Sequence, residues 1–137
     1  MIYERNFRII VVDDDSIITK VLADTLGDMG YDVAVASDGY SAIDMIKRMD
    51  YDIALVDVVM PGINGLETFK AVRRISPSMK VMMMTAYCVD NIVEEALTEG
   101  AYGVLYKPLD MDKVAHFIEK AKKSSFPIDD KMSMKSE

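Results

Sequence analysis

Cysteine and histidine each occur once in the 137-residue chain, tryptophan not at all, and basic residues are outnumbered, 16 against 23 acidic ones. A single cysteine, Cys88, excludes an internal disulfide and a cysteine-rich zinc centre; it fits a reducing compartment and reads as a small buried hydrophobe. The single histidine, His116, sits on the last helical segment with no neighbouring group to orient it, so it reads as a surface residue rather than a catalytic base or phosphoryl carrier. A net charge of −7 and a pI near 4.7 argue against direct nucleic-acid binding, which needs clustered Lys and Arg. No apolar run approaches the roughly 18 residues of a membrane span, and the start Met1-Ile2-Tyr3-Glu4-Arg5 lacks the pattern of a signal peptide. The expectation is a soluble, cytoplasmic protein with no membrane partner.

What is present is a repeated βα unit. Half of the residues are apolar, enough for one sizeable core and one domain. Five short apolar runs, Arg8–Val12, Asp32–Ala36, Asp52–Val56, Lys80–Met84 and Gly103–Tyr106, read as strands covered on both faces. Met82-Met83-Met84 within the fourth is core filler rather than a metal-binding methionine cluster. Between the runs lie helical segments with apolar groups three and four apart, such as Ile18, Val21, Leu22 and Thr25 or Val114, Phe117, Ile118 and Ala121. Gly30 and Gly100 fall where helices should end in a left-handed residue; Ser16, Ser41 and Asp110 are the expected caps of the following helices. Pro61-Gly62-Ile63-Asn64-Gly65 is a turn cluster.

Alternating strands and helices with short connections predict a doubly wound (βα)5 three-layer sandwich, flavodoxin-like, with a five-stranded parallel sheet. Residues 1–6 are an N-terminal extension and 7–123 the folded domain. After Lys123 periodicity lapses, so 124–137 reads as a flexible tail or the start of a linker, and whether an effector domain follows is left open.

Asp13-Asp14-Asp15, Asp57, Thr85 and Lys107-Pro108 each follow one of these apolar runs. In a sheet ordered 2-1-3-4-5, the four strands that carry them are consecutive neighbours, and open α/β sheets bind ligands at the carboxyl ends of their strands. Taken singly, the acidic triplet is a helix cap, Asp57 a turn former, Thr85 a strand-end hydroxyl and Lys107 a solvated charge. Their joint placement at one sheet edge favours a shared site. Carboxylates converging within about 5 Å repel by roughly 3 kcal/mol per pair at an effective dielectric near 20. A hard divalent cation removes that conflict, Mg²⁺ with Mn²⁺ as substitute, and the lack of nearby His or Cys disfavours zinc. Asp57 is then a plausible nucleophile toward a phosphoryl group, with Lys107 and Thr85 contacting its oxygens.

Ile9-Ile10-Val11-Val12-Asp13-Asp14-Asp15, Leu55-Val56-Asp57 with Met60-Pro61 and Gly65, Met84-Thr85-Ala86 and Tyr106-Lys107-Pro108 together resemble the receiver domain of two-component response regulators, over about Phe7 to Lys123. The strand order 2-1-3-4-5 is itself in part a property of that family. The resemblance implies that Asp57 is the phosphoacceptor, Asp14 the direct acidic Mg²⁺ ligand, Asp13 a ligand acting mainly through water, and the Val59 carbonyl the remaining protein ligand. It implies that Thr85 binds the phosphoryl group and shifts on activation, that Lys107 pairs with it, and that Lys107-Pro108 is cis. The implied donor is a sensor histidine kinase or histidine phosphotransfer protein. The implied output is altered contact with a downstream effector protein or domain through the fourth helix, fifth strand and fifth helix, with a phosphorylation-dependent homodimer left open.

Two positions depart from the family's habit. Val104 stands where an aromatic switch is common, and Tyr102 and Tyr106, two residues to either side and on the same strand face by alternation, are the substitutes. Val59 is apolar where many receivers are polar, with an expected effect on phosphoryl lifetime of unstated direction. Val59 also disfavours an aspartate-nucleophile phosphatase, which resembles this site but needs a second Asp there as general acid. A flavin- or nucleotide-binding module would need a Gly-, Ser- or Thr-rich loop after the first strand, where the acidic triplet stands instead. A scaffold-only interaction domain that keeps the fold without phosphorylation is the remaining alternative. The overall expectation is a signalling phosphoprotein that catalyses its own phosphoryl transfer and autodephosphorylation, rather than an enzyme in the usual sense.

Overall fold

A computed structural model describes residues 5–86 and 90–123. Along the chain run β1 (Arg8–Val12), α1 (Ser16–Asp28), β2 (Asp32–Ala36), α2 (Gly39–Arg48), β3 (Ile53–Asp57), α3 (Gly65–Ile75), β4 (Lys80–Thr85), α4 (Asp90–Thr98), β5 (Gly103–Tyr106) and α5 (Met111–Lys123). All four strand pairings are parallel, in the order β2-β1-β3-β4-β5. This is the doubly wound, flavodoxin-like sandwich expected from the alternation of runs. Cys88 and the segment 124–137, expected to be a buried hydrophobe and a flexible tail or linker, lie outside the described residues.

Period-two alternation of the strands splits the core into two layers. Ile9, Val11, Ile53, Leu55, Met82 and Met84 point to the side covered by α1 and α5, where Leu22, Leu26, Phe117 and Ile118 meet them. Ile10, Val12, Ala54, Val56, Val81 and Met83 point to the side of α2, α3 and α4, against Ile46, Phe69, Val72 and Val93. Burial on both faces is why these strands read as unbroken apolar runs, and why the three methionines are fully buried filler.

Local details depart from expectation in four places. The third strand runs one residue later, from Ile53 to Asp57, and the fourth reaches Thr85, so both polar residues end their strands instead of following them. Asp15, not Ser16, caps α1: its carboxylate accepts from the Ile17 and Ile18 amides, a stronger acceptor at a positive helix end than a hydroxyl. Asp38, not Ser41, caps α2 by the same logic, with the Ser41 amide as donor. Gly65 belongs to α3, capped by Asn64 in a reciprocal pair with Glu67. Asp110 does cap α5, and Gly30 and Gly100 adopt φ of 98° and 111°.

Leu55 is fully buried at the middle of the central strand, whereas Val35 on edge strand β2 is 40% exposed. Leu55→Ala is expected to cost about 2–5 kcal/mol of unfolding free energy and Val35→Ala under about 0.5 kcal/mol, read from urea denaturation midpoints.

Candidate functional site

Each strand of the sheet's centre delivers one polar group to the same edge. Asp13 follows β1, its amide donating to the Ala36 carbonyl at 3.1 Å, so the strand's hydrogen bonding carries the residue to the carboxyl end of the sheet. Asp57 ends β3, and the next amide, Val58, donates to Met84 at 2.8 Å. Thr85 ends β4 opposite Tyr106, and the Lys107 amide donates to the Thr85 carbonyl at 2.8 Å. The Lys107-Pro108 peptide is cis.

One carboxylate oxygen from each of Asp13, Asp14 and Asp57 lies within 4.8 Å of the others, the only such acidic group among the described residues. Asp13 and Asp57 are buried, Asp14 exposed. Both oxygens of Asp13 are engaged: Oδ1 accepts from the Asp15 amide at 2.9 Å and Oδ2 from Lys107 Nζ at 2.7 Å. Lys107 Nζ is also 3.3 Å from Asp57 Oδ1.

The loop after Asp57 is fixed from below. The Gly65 amide donates to the Val58 carbonyl at 2.8 Å, and a Cβ at Gly65 would run into the Asp57 carbonyl and the Val58 Cα. Only glycine permits that approach. The Asn64–Glu67 capping pair, at 2.8 and 2.9 Å, and the Thr68 hydroxyl, which donates to the Asn64 carbonyl, hold the other end. These second-layer positions were missed in sequence; the Asn-x-x-Glu spacing at 64–67 was the available signal.

Electrostatics follow from crowding. Burial pushes the Asp57 carboxyl up to about 6, the Asp13 charge adds to it, Lys107 pulls it back and Asp14 contributes a further push. Lys107 moves up as well: burial favours the neutral amine, but the Asp13 hydrogen bond and the two facing carboxylates outweigh it. The two shifts are compatible because one ammonium faces two carboxylates, so its proton is well held while one carboxylate is left in excess. Three converging carboxylates are the oxygen donors that a hard divalent cation takes, so the residues present fit such an ion.

The three positions expected to share the switch role separate. Val104 packs on the α2–α4 side, whereas Tyr102 packs with Leu105 on the α1–α5 side. The expected shared face fails because β5 begins at Gly103 and Tyr102 lies outside its alternation. Tyr106 does keep the strand's phase with Val104 and is 63% exposed. His116 is exposed, as expected.

An open parallel α/β sheet with an acidic cluster and a lysine at its carboxyl edge defines a flavodoxin-like domain with a candidate cation site. The family description "Response regulator receiver domain" matches residues 9–119, and the chain belongs to that family: it is the receiver domain of a two-component response regulator. It is 37% identical over 124 residues to the transcriptional regulatory protein ZraR of Escherichia coli K12, spanning 90% of this chain but 28% of that protein's length. It is 31% identical over 117 residues to the chemotaxis protein CheY of Thermotoga maritima, covering 85% of this chain and 98% of that one. A solved CheY-like receiver domain protein from Methanospirillum hungatei superposes with a TM-score of 0.81 at 28% identity, covering 86% of this chain and 95% of that chain. Such domains are signalling phosphoproteins that work with sensor kinases and downstream effectors, and no helix among the described residues is long and apolar enough to cross a membrane.

Because the folded Asp57 carboxyl, at about 6, lies above its ordinary 3.8, this group favours the folded state below pH 3.8 and that contribution is lost as pH rises through 6. Asp57→Asn should therefore raise the unfolding midpoint at pH 7.5 without divalent cations, by on the order of 1 kcal/mol, with the gain fading toward pH 4. Identical midpoints for the two proteins at pH 7.5 would show that the cluster carries no electrostatic strain.

Proposed function

We propose that residues 7–123 form a phosphoacceptor module that takes a phosphoryl group from a phosphohistidine, on a sensor histidine kinase or a histidine phosphotransfer protein, onto Asp57. The supporting observation is the buried Asp57 carboxylate, clustered with Asp13 and Asp14 and 3.3 Å from the Lys107 ammonium. An Asp57 oxygen attacks phosphorus, the phosphorus–nitrogen bond of the donor breaks with its electron pair leaving on imidazole nitrogen, and an acyl phosphate forms. Mg²⁺, or Mn²⁺ in its place, held by Asp14, Asp57 and the Val59 carbonyl with Asp13 acting mainly through water, would supply positive charge beside the transferring group.

Lys107 is poised to follow the charge. Its ammonium already bridges Asp13 and Asp57, so a short reorientation lets it pair with a phosphoryl oxygen while Asp13 keeps it protonated. Thr85, buried at the end of β4, offers its hydroxyl to another oxygen, and the new charge rewards that movement. Attack by water on phosphorus then releases inorganic phosphate and restores the carboxylate, and the apolar Val59 side chain, two residues after Asp57 and 45% exposed, affects the lifetime.

This reading makes the protein a switch with self-catalysed phosphorylation and autodephosphorylation, acting in the cytoplasm. Its output is an altered surface for an effector protein or domain, or for a second copy, rather than direct contact with nucleic acid. A scaffold-only domain is disfavoured because the raised Asp57 carboxyl costs stability that a purely structural protein has no reason to retain.

With a small acyl-phosphate donor and Mg²⁺, the parent should gain one phosphoryl group by intact mass, Asp57→Asn none, and Lys107→Met should react at least tenfold more slowly. Incorporation into Asp57→Asn at the parent rate would refute the acceptor assignment. Tyr106, the β5 partner of Thr85, carries the switch in place of Val104: Tyr106→Ala should weaken phosphorylation-dependent effector or self-association several-fold while leaving incorporation unchanged, checked by sedimentation with and without beryllofluoride.

A further inference from the structure

Helix α4 is fastened to α3 at one end by contacts that the phosphoryl chemistry does not use. Lys70 and Arg73 stand three apart on α3 and therefore share a face. Lys70 Nζ donates to Glu95 Oε2 at 2.7 Å and lies 3.7 Å from Glu99 Oε2. The Arg73 guanidinium lies over the Phe69 ring, 5.7 Å from its centroid, and donates to the Glu99 backbone carbonyl just past the end of α4. A cation there caps carbonyls that the helix itself leaves unpaired and complements the negative end of its dipole.

Gly100 completes the arrangement. Its φ of 111° turns the chain after α4, and Arg73 occupies the space that a side chain at position 100 would fill. The opposite end of α4 is tied to the site by the chain itself, since only residues 86–89 separate Thr85, the last residue of β4, from Asp90, the first of α4. The side chains of α3 therefore grip α4 at its last turn, the end remote in sequence from Thr85.

We propose that Lys70 and Arg73 form a latch that holds α4 in the packing it adopts without phosphate, so that phosphoryl binding must work against the latch. The coupling half of this inference rests on the function proposed above; the holding half does not. Exposed ion pairs taken singly hold little. Here two ion pairs and a carbonyl cap converge on the last turn of α4, with the Arg73 guanidinium steadied over Phe69 of its own helix, and they add to the apolar packing of Ile92, Val93, Ala96 and Leu97 in the same layer as α3.

The test compares the parent with a Lys70→Met/Arg73→Met variant, in which apolar stems are kept, and with Glu94→Gln, a change on α4 outside the latch. Amide hydrogen exchange is followed across residues 90–99, and the affinity for beryllofluoride is measured with Mg²⁺ in excess. Without beryllofluoride, α4 amides of the double variant should exchange about three- to tenfold faster, and its beryllofluoride dissociation constant should fall by a similar factor; Arg73→Lys should restore part of both, and Glu94→Gln should change neither. Exchange equal to the parent's would overturn the latch. Faster exchange with unchanged or weaker beryllofluoride affinity would overturn its opposition to phosphoryl binding and leave a structural clamp. If neither protein binds beryllofluoride, the function proposed above fails, while the exchange arm still decides whether α3 holds α4.

Discussion

The crowding of three carboxylates against one ammonium at the carboxyl edge of the sheet is the constraint from which the remaining features follow. Two of the four groups, Asp13 and Asp57, are buried, and water cannot dissipate their repulsion. Lys107 offsets part of it, which is why its Nζ sits 2.7 Å from Asp13 and 3.3 Å from Asp57, but one ammonium does not neutralise the cluster and the Asp57 carboxyl remains well above its ordinary range. A site of this kind is stable only if its backbone supports cannot relax. The Gly65 contact with the Asp57 carbonyl and the Asn64–Glu67 pair meet that requirement on one side, and the Asp15 amide, held by Asp13 Oδ1, on the other.

Topology makes the crowding possible. In parallel strands every carboxyl end points the same way, and the order β2-β1-β3-β4-β5 sets the ends of β1, β3, β4 and β5 side by side. The outer strand β2 ends at Ala36 without a reactive group, and its role at that edge is to accept the Asp13 amide. Displacing any one strand would move its polar residue by the spacing of a strand, about 4.8 Å, far enough to break a hydrogen bond.

Much of this was legible in the residues. Strands buried on both faces announce themselves as short apolar runs, and the polar residues beside them stand out because they are costly there; that contrast picks out Asp13, Asp57 and Lys107, which the structure brings together, and Thr85 at the end of the neighbouring strand. What was not legible depended on contacts distant in sequence or on competition between neighbours. Asp15 and Asp38 displaced Ser16 and Ser41 as caps because a charged acceptor one step or three steps away served the helix end better. Tyr102 left the expected face because the strand started one residue after it. The Gly65 approach to Asp57 and the Arg73 seat at Gly100 are invisible to pattern, since each needs the position of a second element.

The buried polar groups confine the electrostatic strain to one place. Five polar or charged residues are buried among the described ones: Asp13, Thr19, Asp57, Thr68 and Thr85. Thr19 and Thr68 donate to backbone carbonyls within their own turns, at Ser16 and Asn64, and no described side-chain N or O atom of the interior lacks a hydrogen-bond partner. The interior therefore places no unmet polar demand on folding except at the sheet edge, where Asp57 is charged against its environment. The two apolar layers on either side of the sheet are continuous and independent of that edge, so the fold can carry the penalty. A net excess of carboxylate, standing where an apolar or amide residue would be more stable, favours a cation that offsets it.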